Sequence, residues 1–243
     1  MDTTAEQPAH ILSVEHLQKS FSRGKKNVLK DVSFTAESKE CIGILGANGC
    51  GKSTLLSILA GIQVPDAGSI LFQDEPLFAK KEKNISSCIG YVPQEPPLIP
   101  ELNAYDNLKL WYSDSHLSLE QELQSGFLSV LGIPSFLKVQ VKKMSGGMKK
   151  RLSIGCCIAE NPKVLLLDEP SAALDIPCKK QIETYLAKYK EAGNTIILTT
   201  HEEREIKFCD RLYILKNGML SSYVYDGNIH HVADAVENAP GEI

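Results

Sequence analysis

The chain has 243 residues, of which 43% are apolar and 23% are charged, and its formal net charge is −4. This composition fits one large α/β domain or two small ones, and the acidic balance argues against a nucleic-acid partner held through its phosphates. We find no stretch near the ~18 apolar residues that a membrane-spanning helix needs, and the polar residues 1–9 do not follow the order of a signal peptide, so a cytosolic protein is expected.

The first part of the chain is dominated by predicted strands. Pro65–Gly68 is a turn signal, and the lysine-rich residues 80–83 predict a solvated loop. Alternating or apolar runs predict strands at Ile11–Val14, Val32–Thr35, Ser69–Phe72 and Cys88–Val92.

A glycine-rich loop lies between a predicted buried strand, Ile42–Leu45, and a predicted helix, Leu55–Ala60. It matches the phosphate-binding pattern G-x-x-x-x-G-K-[ST], in which backbone N–H groups and a helix N-terminus form an anion site. Lys52 supplies a cation to the outer phosphates and Ser53 a hydroxyl to Mg²⁺. The chain is therefore predicted to bind a nucleoside triphosphate. The predicted nucleotide-binding residues here are Gly46, Ala47, Asn48, Gly49, Cys50, Gly51, Lys52, Ser53 and Thr54.

A helical insertion is predicted over about residues 95–149, within the α/β core. Ser118 and Gln121 form a capping-box pattern. One continuous helix is predicted from four apolar residues at four-residue spacing, with an end at Gly132 and Pro134: Leu119, Leu123, Phe127 and Leu131.

The second half returns to an α/β pattern. Residues 226–243 are poorly patterned. Buried strands are predicted at Val164–Leu167 and Thr195–Thr200. A helix is predicted over Ile182–Tyr189, with its end at Gly193. A hairpin is predicted from Arg211–Leu215 and Met219–Tyr225 around the turn residues Asn217 and Gly218.

Two carboxylates follow the strand Val164–Leu167. Asp168 stands where a phosphate-loop enzyme needs a carboxylate to organise Mg²⁺, and Glu169 is placed to orient or deprotonate a water. A carboxylate pair at a strand end also fits a solvated strand exit, but the upstream phosphate loop favours the functional interpretation.

Ser145, Gly146 and Gly147 precede a predicted helix and leave its N-terminus bare. Such an end holds a phosphate. On its own the segment fits an ordinary N-cap serine equally well.

The seven cysteines show no zinc-ligand spacing and are expected to be small buried side chains in a reducing compartment. Cys50 is the exception, because a helix N-terminus favours the thiolate. We expect that alkylation of Cys50 blocks ATP binding and that ATP protects it.

In chain order these motifs, with Gln94, Ala173–Asp175 and His201, resemble the ATP-binding subunit of an ABC transporter over residues 11–225. The resemblance implies a P-loop NTPase of ABC type, with a RecA-like, mostly parallel sheet, an N-terminal antiparallel β part and a helical subdomain. It implies one ATPase domain at 11–225, with residues 1–10 and 226–243 as terminal tails.

The resemblance also implies roles for single residues. In this family the signature segment, here Ser145, Gly146 and Gly147, contacts the ATP bound by the other subunit. Met144 and Met148, which flank it, stand where Leu and Gln are usual, and altered turnover is expected from that departure. The remaining implied roles are adenine stacking for Phe21, contact with Mg²⁺ and water for Gln94, Mg²⁺ support for Asp168, the catalytic base for Glu169, contact with the opposing subunit for Asp175 and contact with the γ-phosphate for His201.

The implied assembly is a homodimer or heterodimer of ATP-binding subunits that uses ATP and Mg²⁺ and docks on an integral membrane subunit from the cytoplasmic face. Leu102–Leu108 resembles a segment of drug and antibiotic export ATPases. The alternative is a soluble ABC-type ATPase outside transport, such as one in cluster assembly.

Overall fold

The computed structural model describes residues 10–21, 26–79, 85, 87–95 and 97–238. The predicted loop at 80–83 and nearly all of the predicted N-terminal tail lie outside these residues. The strands are β1 (Leu12–Phe21), β2 (Lys26–Ala36), β3 (Cys41–Leu45), β4 (Ala67–Phe72), β5 (Glu75–Pro76), β6 (Ile89–Val92), β7 (Val164–Asp168), β8 (Thr195–Thr199), β9 (Arg211–Lys216) and β10 (Met219–Tyr223). The helices are α1 (Lys52–Leu59), α2 (Ala104–Trp111), α3 (Leu119–Gln124), α4 (Phe127–Val130), α5 (Gly146–Cys157), α6 (Ile176–Glu191), α7 (Glu203–Phe208) and α8 (Ile229–Asn238).

The strands form one sheet in the order β5-β4-β1-β2-β10-β9-β3-β8-β7-β6. From β9 to β6 the neighbouring strands are parallel. Every residue of β3, β7 and β8 is buried, as expected for parallel strands covered on both faces. The carboxyl ends of these parallel strands lie along one edge, which is where the residues after β3, β6, β7 and β8 meet.

The two faces of the parallel strands belong to two hydrophobic clusters. Leu165 and Leu167 face the cluster formed with the helical insertion and α6, whereas Val164 and Leu166 face the cluster formed with α1 and the antiparallel strands. The alternation follows from the two-residue period of a strand. The predicted mostly parallel α/β core with an antiparallel part is confirmed.

The antiparallel part is longer than the sequence predicted. The predicted strands Ile11–Val14 and Val32–Thr35 are sections of β1 and β2, whose pairing register shifts after Val14. His16 has a positive φ of 51°, so the β1 backbone is irregular there and the apolar alternation stops. The predicted hairpin at Asn217 and Gly218 is confirmed, since β9 and β10 pair antiparallel around that turn.

The single helix predicted over 119–131 is wrong. The structure has two helices, α3 and α4, with Ser125 and Gly126 between them. The Glu122 carboxylate accepts a hydrogen bond from the Phe127 N–H at 2.9 Å and so caps the second helix, which favours the break. The Ser118 cap is confirmed, because its hydroxyl accepts from the Gln121 N–H at 3.3 Å.

Part of the poorly patterned segment 226–243 is the helix α8. Its side chains Ile229, Val232, Ala235 and Val236 pack against a small cluster that includes Leu212 and Ile214 of β9. Among the described residues, no helix combines the length and apolarity required to cross a membrane.

Candidate nucleotide site

The phosphate loop adopts a conformation that depends on its glycines. Gly46, Gly49 and Gly51 have φ values of 151°, 78° and 116°, which disfavour other residues. A Cβ on Gly46 would lie 2.5 Å from the Leu215 carbonyl oxygen. Helix α1 begins at Lys52 without a side-chain cap, so its first N–H groups remain free for an anion.

Lys52 is held at the mouth of this loop. Its side chain is buried, and Nζ donates to the carbonyl oxygens of Gly46 at 2.6 Å and Ala47 at 3.3 Å. Nζ also lies 3.4 Å from His201 Nε2. The buried ammonium is therefore fixed beside the free N–H groups of α1.

A cleft of about 450 Å³ opens over the loop. It brings the predicted adenine-stacking residue, the phosphate loop and two predicted catalytic residues to one place. Its lining consists of Phe21, Lys26, Val28, Asn48, Gly49, Gly51, Lys52, Ser53, Thr54, Gln94 and Glu169.

Cys50 lies outside that lining. With Ala47 it faces an adjoining cleft of about 640 Å³ between the phosphate loop and the β9–β10 turn. The expected preference for a thiolate is wrong, because burial raises the pKa of the Cys50 thiol and outweighs the lowering by Lys52.

The carboxylates Asp168 and Glu169 are fixed from β8. Asp168 is buried, and its Oδ1 accepts from the Thr199 hydroxyl at 2.6 Å. The same hydroxyl oxygen accepts from the Glu169 N–H at 3.0 Å. Glu169 has a φ of 47°, a costly conformation for this residue type that is common at functional sites.

The Glu169 carboxyl lies between two other predicted site residues. Its Oε2 accepts from Gln94 Nε2 at 3.5 Å, and its Oε1 lies 3.7 Å from His201 Nε2. Burial and Lys52 lower the pKa of His201, while Glu169 opposes them. The imidazole is therefore neutral at neutral pH and keeps one N–H donor.

The signature segment lies apart from this cleft. Ser145 caps α5, and its hydroxyl accepts from the Met148 N–H at 3.3 Å. Asp175 caps α6 and accepts from the Cys178 N–H at 3.0 Å. Hydrogen bonding by the Cys178 side chain, and then by its backbone N–H, lowers the pKa of Asp175. Among the described residues, neither Ser145–Gly147 nor Asp175 lines the cleft.

Sequence reasoning missed three residues that support the site. Thr199 links the two carboxylates. Lys150 donates to carbonyl oxygens behind the cleft. The buried Glu205 accepts from the hydroxyl of Thr200, next to His201. No sequence signal distinguishes Lys150, which lies in a run of three basic residues, or Glu205, whose short helix has four charged residues.

A strand, a glycine loop, a bare helix N-terminus and a carboxylate pair on a neighbouring strand define a P-loop nucleoside triphosphatase. Among the described residues there is no group of three or more His, Cys, Asp and Glu that could hold a metal ion. Oxygen ligands from Ser53, Gln94 and Asp168 nevertheless suit Mg²⁺, which in such enzymes is shared with the substrate phosphates.

Comparisons with known proteins give the family. The family model described as ABC transporter matches residues 29–172. The linearmycin resistance ATP-binding protein LnrL of Bacillus subtilis (strain 168) is 34% identical over 212 residues, which are 86% of this chain and 67% of that protein. The Nod factor export ATP-binding protein I of Sinorhizobium fredii is 34% identical over 236 residues, 96% of this chain and 68% of that protein.

A solved structure is similar over most of its length. It is a dimeric ATP-binding cassette in a post-hydrolysis state with ADP and Pi, with a TM-score of 0.76 and 26% identity, covering 88% of this chain and 99% of that one. The chain belongs to the ABC transporter family. It is an ATP-binding and ATP-hydrolysing subunit that powers a transporter, so the predicted family and activity are confirmed, and the soluble alternative is not favoured.

Proposed function

We propose that ATP is hydrolysed in composite sites between two ATP-binding subunits arranged head to tail. The observation that carries this proposal is the separation within one chain of the Lys52 cleft from the signature segment. One chain thus offers a nucleotide cleft and, outside the lining of that cleft, the Ser145-capped N-terminus of α5 with Gly146 and Gly147. The similar cassette that is dimeric in a post-hydrolysis state with ADP and Pi supports a dimer of such subunits.

Each side chain in the cleft has a task in this proposal. Phe21 stacks on the adenine, while Lys52 and the N–H groups of α1 bind the phosphates. Ser53, Gln94 and Asp168 hold Mg²⁺. When bound, this ion neutralises phosphate charge.

Glu169 acts on the water that attacks the γ-phosphate. Its carboxylate accepts the proton of that water, and Gln94 on one side and His201 on the other orient it. The neutral His201 donates its N–H toward the γ-phosphate. From the opposing subunit, Ser145, Gly146 and Gly147 donate to the same phosphate, and Asp175 lies beside them.

We further propose one ATPase domain at residues 11–225, bound peripherally to the cytoplasmic face of the membrane through its helical subdomain, about residues 95–149. Ile99, Leu110 and Trp111 in that insertion are 43%, 54% and 47% exposed. These exposed apolar side chains support docking of an integral membrane subunit there. The names of the relatives, linearmycin resistance and Nod factor export, favour an exporter.

The substitution Glu169→Gln tests the catalytic role. Because it keeps the shape of the side chain but removes the base, we expect retained ATP binding, near-complete loss of hydrolysis and an ATP-bound dimer visible by size-exclusion chromatography. Glu203→Gln is the matched control, since Glu203 pairs with Lys207 outside the cleft. Hydrolysis by Glu169→Gln at the wild-type rate would show that another group is the base.

Co-purification from membranes tests the assembly. A tagged chain should be recovered with one integral membrane protein. Substitution of Leu110 and Trp111 by Ser should release it, while ATP binding by the isolated chain is retained. Recovery of wild-type chain exclusively from the soluble fraction would refute the membrane docking and leave the ATPase roles standing.

A further inference from the structure

Lys150 makes three hydrogen bonds to the backbone of two distant segments. Its Nζ donates to the carbonyl oxygens of Pro93 at 3.1 Å, Gln94 at 3.2 Å and Asp168 at 3.4 Å. The side chain is 7% exposed. An ammonium buried to this degree requires such partners, so the contact is a fixed part of the fold.

The position of Lys150 in the chain determines which parts of the fold this contact connects. Lys150 lies on α5, three residues after Gly147. The Ser145-capped N-terminus that carries the signature segment therefore belongs to the same hydrogen-bonded helix as Lys150. The helical insertion begins directly after Gln94 and ends directly before Lys150, so one ammonium joins its two ends.

Its acceptors belong to residues that face this chain's own nucleotide. Gln94 contributes its side chain to the cleft, and Asp168 precedes Glu169 at the end of β7. Burial lowers the pKa of Lys150, while the charges of Asp168, Glu169 and Glu205 act in the opposite direction. The hydrogen bonds and these carboxylates together hold a cation behind the cleft.

We propose that Lys150 is a positioning residue. It links the signature segment, which contacts the ATP bound by the opposing subunit, to Gln94 and Asp168, which act on the ATP bound by this chain. This inference rests on the proposed composite site and adds a physical connection between its two halves. Through Lys150, a displacement of Gln94 or Asp168 by nucleotide is transmitted to α5, and docking on α5 by the opposing ATP is transmitted back.

Three variants of the full chain test the link. Lys150→Met keeps the length of the side chain but removes all three donors, whereas Lys150→Gln keeps N–H donors without the charge. Lys149→Met is the matched control on the same helix, because Lys149 is the half-buried neighbour of Lys150. For each variant, kcat and KM for ATP, the affinity for a non-hydrolysable ATP analogue with Mg²⁺ and the unfolding midpoint are measured.

We expect Lys150→Met to lower kcat by about tenfold, the scale of lost hydrogen bonds from a charged donor. Analogue affinity should stay within about twofold, since Lys150 does not line the cleft. Lys150→Gln should lie closer to wild type than to Lys150→Met, and Lys149→Met should match wild type. In a double-mutant cycle with Gln94→Ala, the two losses should not multiply, because Lys150 acts through Gln94.

Several outcomes would overturn the link. One is a folded Lys150→Met variant with wild-type kcat, and another is equal kcat for Lys150→Gln and Lys150→Met. The link also fails if the losses of Lys150→Met and Gln94→Ala multiply, or if the lower kcat only reflects a smaller fraction of folded protein. If Lys150→Met does not fold, Lys150→Gln decides through its own cycle with Gln94→Ala. Glu169→Gln is run in parallel: if it retains turnover, the proposed site itself fails, which is distinct from failure of the Lys150 link.

Discussion

Gly146 and Gly147 are adjacent in the signature segment, yet their surroundings predict opposite effects of substitution by alanine. A Cβ on Gly147 would overlap with Cys178 Sγ and lie 2.9 Å from Cys178 Cβ. Optimal carbon contacts are about 3.5–4.0 Å. A Cβ on Gly146 would have Leu174 Cδ2 as its nearest neighbour, at 3.7 Å, which is an ordinary contact.

The magnitudes follow from this packing. Gly147→Ala forces α5 away from α6, and overpacking of this kind costs about 1–3 kcal/mol of unfolding free energy. In a chain of this size the unfolding midpoint should fall by about 2–4 °C for each kcal/mol. Gly146→Ala meets no overlap, and alanine in place of glycine in a helix is favourable by up to about 1 kcal/mol, so its midpoint should equal or exceed that of wild type.

Calorimetric unfolding of the two variants is the assay, and Cys178→Ala is the check on the cause. The double variant Gly147→Ala/Cys178→Ala loses the overlap with Sγ but keeps the close Cβ, so part of the stability should return. A wild-type midpoint for Gly147→Ala, or no recovery in the double variant, would refute the packing argument.

The same pair separates folding from function. Gly146 is exposed at the end of α5, where the proposed dimer brings the opposing ATP close to its backbone. A methyl group there keeps the phosphate away from the N–H donors. Gly146→Ala should therefore remain stable and yet lose ATP hydrolysis, measured as phosphate release. Wild-type turnover in Gly146→Ala would contradict the proposed contact in trans.

Two other predictions concern the phosphate loop. Lys52→Ala removes a charged donor from the phosphates and should weaken ATP binding by about 10–100-fold; equal affinity in an equilibrium titration would reject this role. Because burial raises the pKa of Cys50, its thiolate fraction increases with pH throughout the neutral range. The rate of alkylation should therefore keep rising with pH from pH 7 to 9 without a plateau. ATP should slow the reaction, and an unchanged ATP affinity after complete labelling of Cys50 would argue against the expected block.

The motifs of the site could be predicted because each is local. The loop Gly46–Thr54 contains its own turn chemistry, and both flanking elements are contiguous with it, so one window of sequence holds the whole phosphate cradle. Asp168 and Glu169 follow an apolar strand in the same way. Parallel strands then bring these separate windows to one edge of the sheet, which is why Gln94, Glu169 and His201 meet.

The features that the sequence did not predict depend on tertiary contacts. The break between α3 and α4 is capped by the Glu122 side chain, although the apolar spacing continues across it. The raised pKa of Cys50 reflects burial that a helix-terminus argument omits. The partners of Lys150 are backbone carbonyls 57, 56 and 18 residues away. Since every residue has a carbonyl, no residue type in the sequence marks such an acceptor.

Cys178 contacts both of the parts that are proposed to face the opposing subunit. Its backbone N–H donates a hydrogen bond to the Asp175 carboxylate at 3.0 Å. Its thiol packs against Gly147 so closely that there is no room for a Cβ on Gly147. The signature segment on α5 and Asp175 at the start of α6 thus share one neighbour. Lys52 and Glu169, which are proposed to act on the chain's own nucleotide, lie at the carboxyl edge of the parallel strands instead. The three hydrogen bonds of Lys150 connect α5 to the ends of β6 and β7, so in the proposed mechanism they give a direct link between the two sets.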